Sequence, residues 1–363
     1  MKGKAVLNKV KIIIWVCLCT ALIIVGFILY GKAQMAKIPR LTFKDALEYT
    51  LKGKKDALVT VGVIKEGKIS WKVYGNNGQE QSKSLHTYEI GSLTKTFTAA
   101  LIQKAVNEGK LDLNATIDSY LPLPEGRRYP SIKALITHTS GYKEYYFEAP
   151  MIANFLENKN SFRGISQEAV LSKAKKLNMH KESNQFEYSN YGYAILGLVL
   201  ESVYKSDYTT LLNDFVENDL NMVSTKISEK DGDLNNYWDW EKNDAYIPAG
   251  AMTSNIEDML RYAQMQLDKD PLFMPCHESL KQIDVSRERY MNLGIHMDEI
   301  GMSWIIDKEN GFIWHNGGTG HYNSYLGFCP NTETAVVILS NLSPNDRIPA
   351  TVLGIKLLQE ING

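Results

Sequence analysis

The stretch EIGSLTKTFTAAL, residues 89–101, holds a serine and a lysine three positions apart, Ser92 and Lys95. Two residues at this spacing near the start of a helix share one face. A serine hydroxyl is a weak nucleophile, and a lysine can act as its base when burial lowers the lysine pKa. A capping serine followed by a surface lysine accounts for this short pattern equally well. The rest of the sequence must decide between the two interpretations.

Two other stretches favour a catalytic interpretation. In FEYSNYGYAILG, residues 186–197, Tyr188 and Asn190 precede an apolar helix and can present a phenol and an amide to one cleft. In WHNGGTGHYNSYLGFCP, residues 314–330, glycines interrupt a strand, which often marks the close approach of a ligand or another backbone. His315 lies at the start of this strand segment and can donate a hydrogen bond or a proton there.

The three motifs S-x-x-K, Y-x-N and H-x-G occur in an order that resembles the penicillin-recognising serine hydrolases. The class C β-lactamase branch, which includes low-molecular-weight penicillin-binding proteins, D-aminopeptidases and esterases, is the most similar. Connecting segments at residues 107–122, 134–142 and 247–262 resemble this family as well. The likeness extends over about residues 43–359. No G-x-S-x-G elbow is present, which argues against an α/β-hydrolase.

The resemblance implies a role for each motif residue in an acyl-enzyme mechanism. Ser92 would be the nucleophile, and Lys95 would keep the site electropositive and shuttle the serine proton. Tyr188 would act as the base in acylation and help to activate water in deacylation. Asn190 would bind the amide of the substrate.

The same resemblance assigns the glycine-rich strand to substrate binding. His315 stands where the family often has the lysine of a K-T-G triad, and Asn316 and Gly317 complete an H-N-G triad that would bind substrate. The backbone amides of Ser92 and Gly318 would form the oxyanion hole. A histidine is largely neutral above about pH 6.5, so its presence weakens the case for efficient β-lactam hydrolysis.

His138, in the segment ALITHTSGY, is a further candidate for a catalytic base. The resemblance implies that this segment is structural, and a histidine near a turn usually satisfies local polar groups. We therefore predict a structural role for His138.

The order of predicted elements indicates a mixed α/β fold of the α+β type. A hairpin is predicted around Glu66-Gly67-Lys68, a helix from Ser92 to Gly109, further strands after residue 311, and a closing helix at residues 348–361. Strands at both ends with helices between them predict an antiparallel sheet flanked by helices, plus an inserted, mostly helical domain. The class C β-lactamase-like domain would span residues 43–361. Its sheet part would comprise about residues 43–110 and 290–361, and its helical part residues 111–289.

The N-terminal segment predicts attachment to a membrane. Four lysines lie in residues 1–11, which we interpret as a cytoplasmic tail, and residues 12–30 are uncharged and apolar. Nineteen such residues can cross a bilayer core of about 30 Å as a helix. A signal-anchor at 12–30 and a linker at 31–42 would place the catalytic domain outside the cytoplasm in a single-pass membrane protein. A cleaved signal peptide is the rival interpretation.

Composition narrows the classes of partner and cofactor. A net charge of −1 and the lack of a basic stripe argue against nucleic acid. The sequence contains no zinc motif, and the mechanism implied by the resemblance needs neither a metal nor an organic cofactor. Cys276 and Cys329 could form a disulfide in an oxidising compartment, but sequence alone does not give their separation.

The sequence thus predicts a membrane-anchored serine hydrolase that acts near the outer face of the membrane. Its substrate would be a D-alanyl peptide or a D-alanyl ester of the cell wall. A β-lactamase or a general esterase is one alternative. A penicillin-binding sensor or binding protein with little turnover is the other.

Overall fold

The computed structural model describes residues 36–178, 185–227 and 232–363, and the single positions Trp15, Thr20 and Gly26. The chain divides into two units, Met1–Thr42 and Phe43–Gly363. The described part of the first unit contains a 3-10 turn at Ile38–Arg40. Apart from the three single positions, the predicted membrane span at residues 12–30 lies outside the described residues. No helix among the described residues is both long and apolar enough to cross a membrane.

The second unit contains two antiparallel sheets. Their strands are, in chain order, β1 (Val59–Lys65), β2 (Lys68–Gly75), β3 (Gln79–Glu80), β4 (Tyr88–Glu89), β5 (Lys226–Ile227), β6 (Met252–Ser254), β7 (Lys281–Gln282), β8 (Glu299–Ile300), β9 (Ile305–Asp307), β10 (Phe312–Gly318), β11 (Asn323–Cys329) and β12 (Thr334–Ser340). Within the described residues, the large sheet has nine strands in the order β3-β2-β1-β12-β11-β10-β9-β8-β7. The small sheet has the order β4-β6-β5.

Two distant parts of the chain meet in the centre of the large sheet. Strand β1 pairs with β12, from Val59 opposite Ser340 to Ile64 opposite Ala335. Every residue of β11 and β12 is buried, as expected for apolar strands covered on both faces. This pairing confirms the predicted antiparallel sheet built from both ends of the domain.

Helices pack on both faces of the large sheet. They are, in chain order, α1 (Phe43–Leu51), α2 (Thr94–Asn107), α3 (Ile132–Ile136), α4 (Pro150–Leu156), α5 (Gln167–Lys176), α6 (Asn190–Tyr204), α7 (Tyr208–Asp214), α8 (Ile247–Gly250), α9 (Ile256–Leu267), α10 (Glu288–Met291) and α11 (Ala350–Asn362). Gly62 of β1 packs against α9, whereas Tyr325 of β11 packs against Gly354 of α11. Gly62 and Tyr325 point to opposite faces because the register aligns Tyr325 with Val61, the neighbour of Gly62. The predicted closing helix is confirmed as α11.

Both cysteines within the domain are reduced. Cys276 and Cys329 are buried free thiols. Burial raises the pKa of Cys276, so this thiol stays protonated and unreactive at neutral pH.

The predicted hairpin is confirmed as β1 and β2. Lys65 pairs with Lys68, which leaves a two-residue turn at Glu66 and Gly67. Both turn residues have positive φ, 53° for Glu66 and 71° for Gly67, as a type I′ turn requires. An exposed glutamate is not the residue type that favours this conformation, so the turn is not optimal.

Replacing Glu66 with asparagine should stabilise the domain. The change creates the Asn-Gly pair preferred in type I′ turns and should raise the free energy of unfolding by about 0.5–1 kcal/mol. Urea denaturation of the purified chain measures this difference. Glu66→Gln is the control, because it removes the same charge without favouring positive φ. Equal stabilisation by both changes would contradict the explanation.

Candidate active site

Ser92 lies in a tight 3-10 turn, Gly91–Leu93, directly before α2. The turn is held from both sides, since the amide of Ile90 donates to the carbonyl of Met252 (3.0 Å) and the hydroxyl of Ser324 donates to the carbonyl of Ile90 (2.7 Å). Gly91 has a φ of 50°, and a Cβ at this position would lie 2.6 Å from the amide nitrogen of Gly318. Only glycine fits here, so the turn can approach β10 closely.

Lys95 lies one turn further along, in the first turn of α2, with its amine beside the serine. Its Nζ lies 3.1 Å from Ser92 Oγ and donates to Asn190 Oδ1 (2.7 Å) and to the carbonyl of Ala249 (2.6 Å). The side chain is completely buried. The structure therefore brings Ser92 and Lys95 together as the S-x-x-K spacing predicts.

Burial controls the protonation of Lys95. Desolvation lowers the pKa of the amine well below its usual 10.5, and the negative charge of Glu144 acts in the opposite direction. The hydrogen-bond partners of Nζ are all neutral oxygens, so none of them supplies a negative charge that would stabilise the ammonium. A buried amine of this kind can stay unprotonated and accept a proton near neutral pH.

Tyr188 and Asn190 reach the same point from the start of α6. The hydroxyl of Tyr188 is hydrogen-bonded to Ser92, and Lys95 Nζ lies 4.8 Å from the centre of the tyrosine ring. Desolvation raises the pKa of Tyr188 above its usual value of 10.0, and the hydrogen bond to Ser92 offsets only part of this rise. Ser189 caps α6, because its hydroxyl accepts from the amide of Gly192 (2.9 Å). The cap fixes the point where the helix begins, and with it the positions of residues 188 and 190.

His315 and Asn316 project from β10 in opposite directions. His315 is buried, and its Nδ1 lies 2.7 Å from the carbonyl oxygen of Asn316. Desolvation and the nearby Lys95 lower the pKa of His315 to about 3. The amide of Asn316 donates to the hydroxyl of Thr351 in α11 (2.9 Å). The structure places His315 near Lys95, whereas the side chain of Asn316 is held at the other face of the sheet.

The glycines of β10 allow the strand to touch the serine turn. A Cβ on Gly317 would lie 1.9 Å from the carbonyl oxygen of Ile90. Strand β9 pairs with β10 only at residues 312–314. Within the described part of the chain, residues 315–318 therefore have no strand partner on that side. The amide nitrogen of Gly318 belongs to this segment and lies next to the turn of Ser92.

Comparison with known proteins places this site in a family. The model of the Beta-lactamase family matches residues 52–357. The chain belongs to the β-lactamase family. This confirms the resemblance drawn from the three motifs.

Solved structures of the family share the fold at low sequence identity. An octameric penicillin-binding protein homologue from Pyrococcus abyssi superposes with a TM-score of 0.71 and 21% identity, over 88% of this chain and 77% of its own. A β-lactamase/D-alanine carboxypeptidase from Yersinia pestis superposes with a TM-score of 0.70 and 17% identity, over 92% of this chain and 99% of its own. A class C β-lactamase superposes with a TM-score of 0.66 and 19% identity, over 90% of this chain and 98% of its own. These matches confirm the predicted class C β-lactamase-like fold.

One curated relative is protein flp of Staphylococcus aureus. It is 24% identical over 334 residues, which cover 83% of this chain and 61% of the relative. The chain thus spans about three fifths of the length of that relative.

Two polar contacts of this β-lactamase-family site were not predicted from sequence, and a third group, His138, was predicted only to have a structural role. The carbonyl of Ala249 accepts from Lys95, and the hydroxyl of Ser303 donates to the carbonyl of Lys95 (3.0 Å). His138 packs against the ring of Tyr188, with 4.4 Å between ring centres. The family resemblance of residues 134–142 and 247–262 pointed to two of these segments, but a backbone carbonyl carries no sequence signal.

The arrangement suits acyl transfer through a serine. Ser92 has a potential proton acceptor within reach in the amine of Lys95, and the hydroxyl of Tyr188 at the same serine can pass a proton on. Among the described residues, no group of three or more His, Cys, Asp and Glu side chains is placed to hold a metal ion. The described side chains supply a serine nucleophile, an amine base and a phenol that can transfer a proton.

Exchanging Lys95 for arginine tests whether the amine acts as a base or only as a charge. Arginine keeps a positive charge but does not deprotonate, so Lys95→Arg should slow acylation of Ser92 by about 100-fold or more, as should Lys95→Met. Stopped-flow kinetics with a chromogenic acyl donor measures the rate. Lys104→Arg is the control on the same helix, where the lysine forms a surface ion pair with Asp219 (2.9 Å). Near-native acylation by Lys95→Arg would show that a permanent cation suffices.

Adding one methyl group to β10 should displace the serine turn. Gly317→Ala forces a Cβ against the carbonyl of Ile90, so acylation should fall by about 100-fold while the domain remains folded. Gly250→Ala is the control beside the same turn, because its Cβ would lie 3.7 Å from the carbonyl carbon of Gly91, an ordinary contact. The acylation rate and the circular dichroism spectrum report the two effects. Equal rates for the two variants would refute the tight contact.

Proposed function

We propose that the chain is a serine hydrolase that forms an acyl-enzyme on Ser92 and acts on D-alanyl peptide or ester bonds of the cell wall. The observation that carries this proposal is the buried amine of Lys95, 3.1 Å from Ser92 Oγ. A serine and a lysine in this contact form a nucleophile and its base. A binding protein needs neither a buried amine nor a tyrosine at the same hydroxyl.

The reaction follows from the positions of these groups. Ser92 Oγ attacks the acyl carbon of the substrate and passes its proton toward Lys95 and Tyr188. The amides of Ser92 and Gly318 stabilise the negative charge on the acyl oxygen; one such donor is worth about 100- to 1000-fold in turnover. Protonation through Tyr188 expels the alcohol or amine, and the acyl group remains on Ser92. Water then attacks the ester with the same groups as base, and Ser92 is regenerated.

The state of His315 bears on the class of substrate. Because its pKa lies near 3, His315 is neutral across the physiological range and offers no cation to a substrate carboxylate. Recognition of an ionic carboxylate would normally use a charge-assisted hydrogen bond. This favours acyl donors that are bound through their amide or ester groups over β-lactams bound through their carboxylate. One structural neighbour is a β-lactamase/D-alanine carboxypeptidase. A carboxypeptidase substrate ends in a carboxylate, so among D-alanyl bonds the neutral His315 favours esters and internal peptide bonds.

The proposed location rests on the sequence of the N-terminal segment. Residues 12–30 are uncharged and follow four lysines, which is typical of a membrane anchor with a cytoplasmic N-terminus. An anchor there would hold the domain outside the cytoplasm, near cell-wall polymers. Membrane fractionation before and after alkaline extraction tests this part of the proposal, and release of the full chain into the soluble fraction would contradict it.

Covalent labelling tests the proposed nucleophile. After incubation with a penicillin, the intact mass of the chain should increase by the mass of one penicillin molecule, because the β-lactam ring opens and stays attached. The Ser92→Ala variant should gain no mass. The proposal is wrong if penicillin and a D-alanyl ester both leave the native protein unmodified and if the protein hydrolyses neither of them. A stable adduct without turnover of any donor would indicate a penicillin-binding sensor instead.

Masking the carboxylate of the acyl donor tests the role assigned to His315. A penicillin and its methyl ester should acylate Ser92 at rates that differ by less than about tenfold, since no hydrogen bond to a charged group, worth about 1.5–3 kcal/mol, is lost. Competition between the two compounds for acylation of Ser92, followed by intact mass, measures the ratio of their rates. A loss of about 100-fold on esterification would show that a cation elsewhere in the cleft binds the carboxylate.

A further inference from the structure

We propose that His138 is a positioning residue, which holds Tyr188 against Ser92 by bonding the backbone amides of the two residues on either side of the tyrosine, Glu187 and Ser189. This inference rests on the proposed function, because it assigns Tyr188 to the acylation step. It also replaces the purely local role that the sequence suggested for His138.

The clamp uses both the main chain and the side chain of one residue. The amide of Glu187 donates to the carbonyl of His138 (2.8 Å). The amide of Ser189 donates to Nδ1 of the same histidine (3.0 Å). These two amides lie directly before and after Tyr188, so a single residue fixes the backbone on both sides of the tyrosine.

The imidazole ring also supports the tyrosine side chain. The ring centres of His138 and Tyr188 lie 4.4 Å apart with an angle of 35° between the planes. The ring of Tyr193 also packs against His138, with 5.1 Å between the ring centres. The hydroxyl of Tyr193 donates to the carbonyl of Ile136 (3.0 Å). The phenol of Tyr188 thus lies against a ring that is itself packed in place.

The protonation state of His138 matches its part in the clamp. Burial, Lys95 and His315 together lower the pKa of His138 well below its usual range, so the ring is neutral and Nδ1 can accept a hydrogen bond. The ring proton must then be on Nε2. That atom has no hydrogen-bond partner among the described residues. A buried donor without a partner costs about 1–3 kcal/mol.

The backbone of His138 carries a second cost. Its φ is 56°, in the left-handed region that residues other than glycine seldom adopt. Costs of this kind cluster at active sites, where the surrounding structure enforces them. Here the left-handed turn directs the carbonyl and Nδ1 of His138 toward the same segment, residues 187–189, and both bonds of the clamp depend on it.

The clamp predicts a defect in the rate of acylation and not in binding. Loss of the histidine side chain frees the amide of Ser189 and lets Tyr188 shift relative to Ser92. A displacement of about 1 Å can cost 100-fold in rate. The substrate itself gains or loses no contact with His138, so its dissociation constant should not change.

Two substitutions at this position separate the clamp from a general loss of stability. His138→Gly removes the acceptor and relieves the backbone strain, because glycine adopts positive φ freely. His138→Asn keeps an acceptor oxygen near the position of Nδ1, and asparagine tolerates positive φ. His277→Ala is the control, since His277 is also buried against aromatic rings but bonds to Gln266 (2.9 Å) outside the site.

The experiment measures acylation of the full-length chain by a penicillin, as a rate constant and a dissociation constant per folded molecule. We expect His138→Gly to lower the rate constant by about 10- to 100-fold at an unchanged dissociation constant. His138→Asn should acylate within a few-fold of the native rate, and His277→Ala should lose stability without losing rate.

Several results would overturn this inference. A native rate for His138→Gly would show that Tyr188 needs no clamp, while the proposed function would stand. If His138→Gly and His138→Asn lose the same factor in acylation rate, the hydrogen bond accepted by Nδ1 does not position Tyr188. If the glycine variant does not fold, the asparagine variant decides alone, and a 100-fold loss there would count against the clamp. A native protein that neither forms an adduct with any acyl donor nor turns one over would overturn both proposals.

Discussion

The buried amine of Lys95 is the constraint on which the site depends. Removing an ammonium from water costs several kcal/mol, and the oxygens around Nζ are uncharged. They come from the serine turn, from Asn190 at the start of α6 and from the carbonyl of Ala249 in α8. The amine therefore links three separate elements, and its low pKa makes it a base for the hydroxyl of Ser92. The Nζ atom of Lys95 thus both holds these elements together and acts as the base.

The large sheet, which is built from two distant parts of the chain, brings the strand β10 to the side of Ser92 and Lys95 that a substrate would approach. Pairing of β1 with β12 joins the ends of the domain, so β10 lies beside the turn that precedes α2. Residues 315–318 of β10, which have no partner strand on the β9 side within the described part of the chain, lie at that place, and the glycines let them approach the turn closely. His315 on this strand stays neutral because its burial lowers its pKa, and any positive charge on Lys95 lowers that pKa further. The same burial that activates the lysine thus removes the charge of the histidine.

Sequence predicted the parts of the structure that depend on local spacing. The i, i+3 spacing brought Ser92 and Lys95 together, the Y-x-N motif placed Tyr188 and Asn190 on one cap, and the glycines of β10 marked a close backbone approach. It did not predict the carbonyl of Ala249 as a ligand of Lys95, because a carbonyl is the same in every residue. The direction of a side chain such as Asn316 depends on strand register, and the clamp by His138 depends on contacts between distant segments. Both are set by tertiary packing.

Direct titration of the Lys95 amine is the measurement that tests this account most directly. Nuclear magnetic resonance of lysine labelled with 13C at Cε, with Lys95→Met to assign the signal, follows protonation at that single site. The account predicts that the Lys95 signal titrates well below the usual lysine pKa of about 10.4, and that acylation of Ser92 rises over the same pH interval. A Lys95 that stays protonated up to about pH 10 would contradict the central claim, because the amine could not then serve as a base.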